Sequence, residues 1–180
     1  VKKYGFQDTQ YWKIAPGENA WQWDECREGG FIAIGWDEMG DLGPMNRTEF
    51  NDAQSTCSRE HGWTKASTEQ VWKFAKHIRE GDRILANRGT STLLGVGTVV
   101  GPYTYVEGER HAHRLPVEWD DMTPRVIDEG GWRSTLIKLD RAKFERLVTA
   151  PPVTASEEEV FDAAALDKLL TEGLPSNGNG

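Results

Sequence analysis

Residues 80–105 read EGDRILANRGTSTLLGVGTVVGPYTY. Two β-rich runs, residues 83–87 and 93–100, flank the turn-forming Arg88-Gly89-Thr90-Ser91-Thr92, which is a hairpin signal. Gly95 and Gly97 interrupt the second run. Glycine inside a strand marks a bulge, a barrel corner or a close approach by a ligand or another backbone. The stretch leaves through Gly101-Pro102 into Tyr103 and Tyr105, two aromatics at strand spacing, and then into polar residues 107–114. A strongly curved hairpin that delivers polar tips and aromatics to one rim predicts a small barrel with a pocket at its mouth.

Elements on either side support that reading. Residues 11–15 form a short strand closed by Pro16-Gly17. Asn19 is placed to cap a helix over 20–28 that stops at Gly29-Gly30. A second strand covers 31–36, and a loop covers 37–44. Thr48 is a candidate cap for a helix to His61. Ser67 with Gln70 forms a capping box for another, whose buried face is Val71, Phe74, Ala75 and Ile78. Further strands are expected at 115–119 and 135–139, and a last helix at 141–148. The predicted class is α+β: a partly open β-barrel of about six strands with helices packed outside.

The chain has 180 residues and a net charge of -8. That length implies one domain, residues 1–149, with an appendage over 150–180. The appendage reads as a linker and an acidic helix begun by Ser156 and residues 157–159, ending in a polar stretch that is expected to lead into a further domain. It carries -5 of the charge, so the body is only mildly acidic and any nucleic-acid contact must rest on a local patch. No apolar run approaches membrane-spanning length and no signal-peptide core is visible, which excludes a membrane partner and predicts a cytoplasmic protein. The first residue is Val1, so the natural start is expected upstream. Cys26 and Cys57 match no zinc spacing and read as buried thiols of a reducing compartment.

Catalytic and cofactor signals are thin. Gly95-x-Gly97 with Gly101 departs from dinucleotide-binding spacing, and no helix follows it. His111 and His113, with Glu107 and Glu109 nearby, lack the further convergent ligands that a metal needs. They read either as exposed strand-edge residues or, with Arg110 and Arg114, as a phosphate-binding patch. No nucleophile elbow appears. The expectation is a binding protein, not an enzyme, with no cofactor and no metal.

Eight tryptophans are the compositional anomaly. Trp12 and Trp72 read as core, and Trp63 and Trp132 as plugs at the barrel ends. Trp21 and Trp23 open the first helix, and Trp36 ends a strand beside acidic loop residues. Aromatics at strand ends next to amide and carboxylate groups suit a pocket for a planar ligand. A stacked base gains about 1–3 kcal/mol per aromatic partner, enough to offset the few kcal/mol of taking a base out of a duplex.

Taken together, YWKIAPG, FIAIGWDEMGDL, GDRILANRGTSTLLGVGTVVGPYTY and PVEW resemble an EVE domain. This is a member of the PUA-like superfamily, related to the YTH domains that read N6-methyladenine. The version here is similar to those at the N-terminus of McrB-type AAA+ GTPases of modification-dependent restriction systems. The resemblance runs over residues 9–148 and implies a sensor that flips a modified base of double-stranded DNA into an aromatic pocket. The base would be 5-methyl- or 5-hydroxymethylcytosine, or N6-methyladenine. An AAA+ GTPase motor and an McrC-like nuclease are the implied partners.

By the same resemblance, Trp36 is the cage tryptophan, Asp37 its neighbour on the base, and Pro16, Gly17 and Asn19 belong to the loop at the base edge. Tyr103, Tyr105 or Trp21 supplies the second wall, and Asn87 reads the base edge. Arg83, Arg88, Arg110, His111, His113 and Arg114 are candidate phosphate ligands. An RNA reader is the runner-up, since PUA-like domains also bind RNA. A small hydrolase and an oligomerisation module built on the acidic tail are further alternatives.

Overall fold

The structure is a computed structural model that describes residues 8–154; the expected tail helix lies outside them. Among the described residues eight strands and four α-helices follow one another in the order β1 (Tyr11–Ile14), α1 (Trp23–Gly29), β2 (Phe31–Ile34), α2 (Arg47–His61), α3 (Lys65–Lys76), β3 (Arg83–Arg88), β4 (Thr92–Val99), β5 (Thr104–Tyr105), β6 (His113–Asp121), β7 (Arg125–Val126), β8 (Leu136–Leu139) and α4 (Arg141–Leu147). One curled sheet runs β2-β6-β4-β3-β1-β8, with β5 added to β6 and β7 to β4. Among the described residues only the β1–β3 pair is parallel. β2 and β8 do not pair, so the barrel stays partly open, as the α+β expectation has it.

The hairpin β3–β4 is the spine. Its register shifts between Ala86 and Asn87, and the β4–β6 register shifts between Val96 and Gly97, so both strands bend where the sequence turns glycine-rich. A Cβ on Gly97 would stand 2.5 Å from the Val117 side chain and 2.7 Å from the Glu118 carbonyl, so the bend depends on glycine.

Both faces of the sheet are covered. Trp12, Ile14, Ile84, Ala86, Leu94 and Leu115 join Trp23, Phe50, Val71 and Phe74 of α1–α3 in the larger core. On the other face Leu85, Leu93, Val96 and Leu139 meet Trp132 and Phe144 and Leu147 of α4. Burial on both faces explains why the strands read as continuous apolar runs and not as alternating ones.

Helix starts differ from expectation. α1 begins only at Trp23, because Asn19 and Ala20 both adopt left-handed backbone (φ 56 each) within a 3-10 turn over Glu18–Ala20. α2 is capped by Asn46, not Thr48: Asn46 accepts from Glu49 N–H while the Glu49 carboxylate accepts from Asn46 N–H. α3 is capped by Thr64, whose hydroxyl accepts from Ser67 N–H at 3.1 Å. Gln70 is thereby released, and its Oε1 accepts from Leu136 N–H at 2.9 Å, tying α3 to β8. β2 stops at Ile34, and β6 extends four residues in all beyond the expected 115–119, two at each end. The stretch after α4 does not leave the body at once: Val126 N–H donates to Pro151 C=O and Val153 N–H to Pro124 C=O.

Candidate functional site

Ends of β1, β2 and β3, the hairpin tip and the loops before α3, β6 and β8 enclose a cavity of about 590 Å³. That lies within the ~300–1,000 Å³ usual for ligand sites. Trp36, Trp63 and Trp132 contribute indoles to its wall; Lys13, Asn87 and His111 contribute polar groups. The backbone of Gly17, Gly35 and Gly89 completes it, with Glu18, Asn19, Thr90 and Arg133 also on the lining.

Trp36 is held here by a constrained turn. Its backbone is left-handed (φ 63, ψ 40), an outlier for a bulky residue. Such a conformation costs on the order of 1–3 kcal/mol and persists only when the surroundings over-determine it. They do so here. His113 Nε2 donates to the Trp36 carbonyl at 2.9 Å, and Tyr105 hydroxyl donates to the Asp37 carbonyl at 2.8 Å. The Asp37 carboxylate accepts from His111 N–H at 3.0 Å and from Ala112 N–H at 2.8 Å. The loop before β6 thus clamps the turn after β2.

With Nε2 as its donor, His113 uses Nδ1 to accept from the Tyr103 hydroxyl (2.7 Å), which in turn accepts from Leu42 N–H at 3.2 Å. Burial pushes the His113 imidazole down and the Tyr103 phenol up, so both stay neutral. The chain of bonds is internal bracing.

A second brace sets His111. Its own backbone is left-handed (φ 57), and Nδ1 meets Gln22 Oε1 at 2.9 Å. An amide oxygen only accepts, so Nδ1 carries the proton. Burial lowers the imidazole pKa, so the ring is neutral and Nε2, beside Gly35, is left as an acceptor. Trp21 packs edge-on against this ring (4.8 Å between centroids), and the Arg110 guanidinium lies 4.1 Å from the Trp21 ring. Gly17 is required beneath Trp21: at φ 82 a Cβ would stand 2.1 Å from the indole nitrogen.

Two buried polar side chains also line the cavity. Lys13 is fully buried, and its ammonium donates to the Ser134 carbonyl and, at 3.4 Å, to that of Thr135. It lies 5.7 Å from the Trp132 ring centroid. Desolvation lowers its pKa to about 8. Asn87, 1% exposed, donates through Nδ2 to Gly89 C=O at 2.8 Å, while its Oδ1 is buried with no partner among the described residues.

Of the residues singled out from sequence, Trp36, Gly17, Asn19, Asn87 and His111 are brought together on the cavity wall. Asp37, Tyr105 and Pro16 lie outside the lining, and Trp21 is exposed at the surface, packed against the lining residues Gly17 and His111. Tyr103 turns into the core side of the turn, 6.3 Å from Phe74 between ring centroids. Arg88 closes β3 next to the lining residues Asn87 and Gly89.

Three phosphate assignments are corrected. His113 is 0% exposed and cannot reach a backbone phosphate. Arg83 sits at the opposite end of β3, paired with Asp120 at 2.8 Å. Arg114 donates to the His111 carbonyl, packs 4.4 Å from the Phe31 ring and meets Glu25 at 3.6 Å, so it braces the loop. Arg110 remains at the surface over Trp21. Sequence reading missed Lys13, because a lysine inside an apolar strand reads as an outward position. It placed Trp63 and Trp132 at barrel ends but not on a shared cavity. The orphan of a hairpin tip, Asn87 Oδ1, has no sequence signal.

The site can enclose a flat ring and hydrogen-bond its edge. Among the described residues no group of three or more His, Cys, Asp or Glu could hold a metal ion. Cys26 and Cys57 are free and buried, and burial pushes the Cys26 thiol up to about 12, away from a nucleophilic thiolate. No described helix is long and apolar enough to cross a membrane.

The chain belongs to the family described as "Domain of unknown function (DUF8426)", whose profile matches residues 12–128. No curated protein matches it in sequence. Similar solved structures include protein Atu2648 from Agrobacterium tumefaciens, with 11% identity, 80% of this chain and 97% of that one covered, and a TM-score of 0.46. The YTH domain of the Zygosaccharomyces rouxii MRB1 protein, in complex with N6-methyladenosine RNA, shows 7% identity over 81% and 91%, with a TM-score of 0.46. The YTH domain-containing protein mmi1, in complex with RNA, shows 12% identity over 78% and 80%, with a TM-score of 0.44.

Proposed function

We propose that this domain reads a modified base in double-stranded DNA by accepting the flipped base into the cavity behind Trp36, and that it binds without turnover. The observation that carries the reading is the clamp on Trp36. Backbone strain and four hydrogen bonds are committed to holding one indole at the mouth of a tryptophan-lined cavity. Base stacking on an aromatic is worth about 1–3 kcal/mol, comparable to the few kcal/mol needed to unstack a base. Polar groups on the lining, the His111 ring among them, suit a base edge, since a mismatched edge leaves such a group unpaired. The choice of DNA, and of an AAA+ GTPase motor with an McrC-like nuclease as partners in restriction, follows the sequence resemblance to McrB-type proteins.

The test is equilibrium binding to short duplexes that differ in one base: unmodified, 5-methylcytosine, 5-hydroxymethylcytosine, N4-methylcytosine or N6-methyladenine, at two salt concentrations. One modification is expected to bind at least tenfold tighter, about 1.4 kcal/mol, and Trp36→Ala to abolish that margin. Equal weak binding to every duplex contradicts the DNA reading and makes the same sequences as RNA the next ligands to titrate.

A further inference from the structure

A second cleft, of about 280 Å³, lies between the end of α3 and the strand β8. Its rim carries Lys73 and His77, one helical turn apart at the end of α3, and Lys138 on β8, all three exposed. Gln10, Trp12 and Leu136 also line it, and among the described residues no carboxylate does. In a chain of net charge -8 that is a departure. Carboxylates on the neighbouring elements are engaged elsewhere. Glu69, one turn before Lys73, pairs with Arg47. Asp82 is buried and accepts from Trp12 Nε1 at 3.0 Å, from Gln10 N–H and Nε2, and from Arg79 N–H. Asp140 caps α4 by accepting from Lys143 N–H. Lys73, His77 and Lys138 thus have no ion-pair partner among the described residues.

The backbone adds a donor. β8 is an edge strand, paired only with β1. Its Leu136 N–H turns away from β1 onto Gln70 of α3, so Leu136 and Ile14 face each other without exchanging ladder bonds. Antiparallel pairs alternate. Two residues on, Lys138 opposite Trp12 repeats that geometry, which leaves its N–H on the cleft side. Two carbonyls at the end of α3 are already taken: Lys73 C=O accepts from His77 N–H and Ile78 N–H, and His77 C=O from Gln10 Nε2. Lysines are point charges with freely turning donors, which suits a tetrahedral phosphate. A planar carboxylate is matched best by the arginine fork, and none of the lining residues is an arginine.

We infer that this cleft holds a backbone phosphate of the nucleic-acid strand, with Lys73 and Lys138 as its cations and the Lys138 N–H as a fixed donor; the inference rests on the proposed reader function. Both walls lead back to the base cavity, since Trp63 just before α3 and Thr135 just before β8 line it. Thr135 and Lys138 are about 10 Å apart along an extended strand. A nucleic-acid strand that delivers a base to the cavity therefore reaches the cleft within a few nucleotides.

The experiment titrates the full 180-residue chain with the same set of modified and unmodified duplexes over a series of salt concentrations. The double variant Lys73→Gln, Lys138→Gln, checked for native near-ultraviolet dichroism, is expected to weaken binding to every duplex by one common factor. One phosphate contact is worth about 0.9 in the slope of log affinity against log salt, so the slope is expected to fall by about 0.9 and affinity by about eightfold at 0.1 M salt. The preference among bases is expected to stay. Trp36→Ala should do the converse, losing the preference and keeping the slope. An unchanged slope in the double variant, with the base preference intact, overturns the inference and leaves the reader function standing. Inorganic phosphate that binds the wild type and not the double variant, with the slope unchanged, assigns the cleft to free phosphate and overturns the strand contact. A wild-type protein that distinguishes none of the duplexes, while the double variant still lowers the slope, overturns the reader function and leaves the phosphate contact in place.

Discussion

Two residues define the chemistry of the site, and each departs from a local rule. Trp36 occupies left-handed backbone that a bulky side chain normally avoids, and Lys13 buries a charge. The second departure has a consequence for stability. The Lys13 ammonium falls from 10.5 to about 8 on folding, because burial disfavours the charged form. Below pH 8 both folded and unfolded states carry the charge, and the penalty is fully present. Between about pH 8 and 10.5 the folded state sheds a proton that the unfolded state keeps, so this group's contribution to stability rises with pH, by on the order of 3 kcal/mol. Ionisable groups on the surrounding elements are Glu18 after β1, His111 before β6 and Arg133 before β8; the hairpin supplies only Asn87 and Thr90, and β3 and β8 flank Lys13 with Leu85 and Ile137. Raised groups such as Cys26 and Tyr103 oppose the trend at high pH, so the comparison must be made against a variant. In urea unfolding, the stability advantage of Lys13→Met over wild type is expected to shrink by roughly 2–3 kcal/mol between pH 7 and pH 10. A difference that stays constant across this range would show that Lys13 is not desolvated as the structure has it.

At the scale of elements, the hairpin β3–β4 was the most readable part of the sequence and also proves the most constrained. Gly97 packs under the Glu118 carbonyl and the Val117 and Trp119 side chains. Gly97→Ala is therefore expected to lose about 1–3 kcal/mol of stability, the usual range for overpacking, read as a lower Tm; an unchanged Tm would mean that β6 can shift freely. Strand and hairpin positions were legible because turn residues and β-branched runs act locally. Helix starts were less so. Ser, Thr and Asn compete as caps within a few residues of each other, and tertiary demands decided among them, as when Gln70 left the capping box to bind β8. The Trp36–Asp37 turn was visible only as an aromatic before acids. Its clamps come from residues 105–113, some seventy positions along the chain, which no local pattern encodes. The same separation hid the true roles of His113 and Arg114: as sequence they are a basic cluster, and in the fold they are internal braces.

At the scale of the molecule, an acidic chain of net charge -8 carries a cavity that opens among tryptophans, with Arg110 and Arg133 exposed near it. Long-range attraction to nucleic acid is weak for such a body, so on the proposed reading affinity comes from the enclosed base and a few local phosphate contacts. That makes base extrusion the central claim. Its most direct measurement places 2-aminopurine next to a 5-methylcytosine in a short duplex and follows its fluorescence as the protein is added. Extrusion of the neighbouring base unstacks the probe, so the fluorescence is expected to rise with wild-type protein and to stay flat with Trp36→Ala at saturating concentration. Saturable binding of the wild-type protein with no change in the probe would contradict the account, because the modified base would then be read, if at all, without leaving the helix.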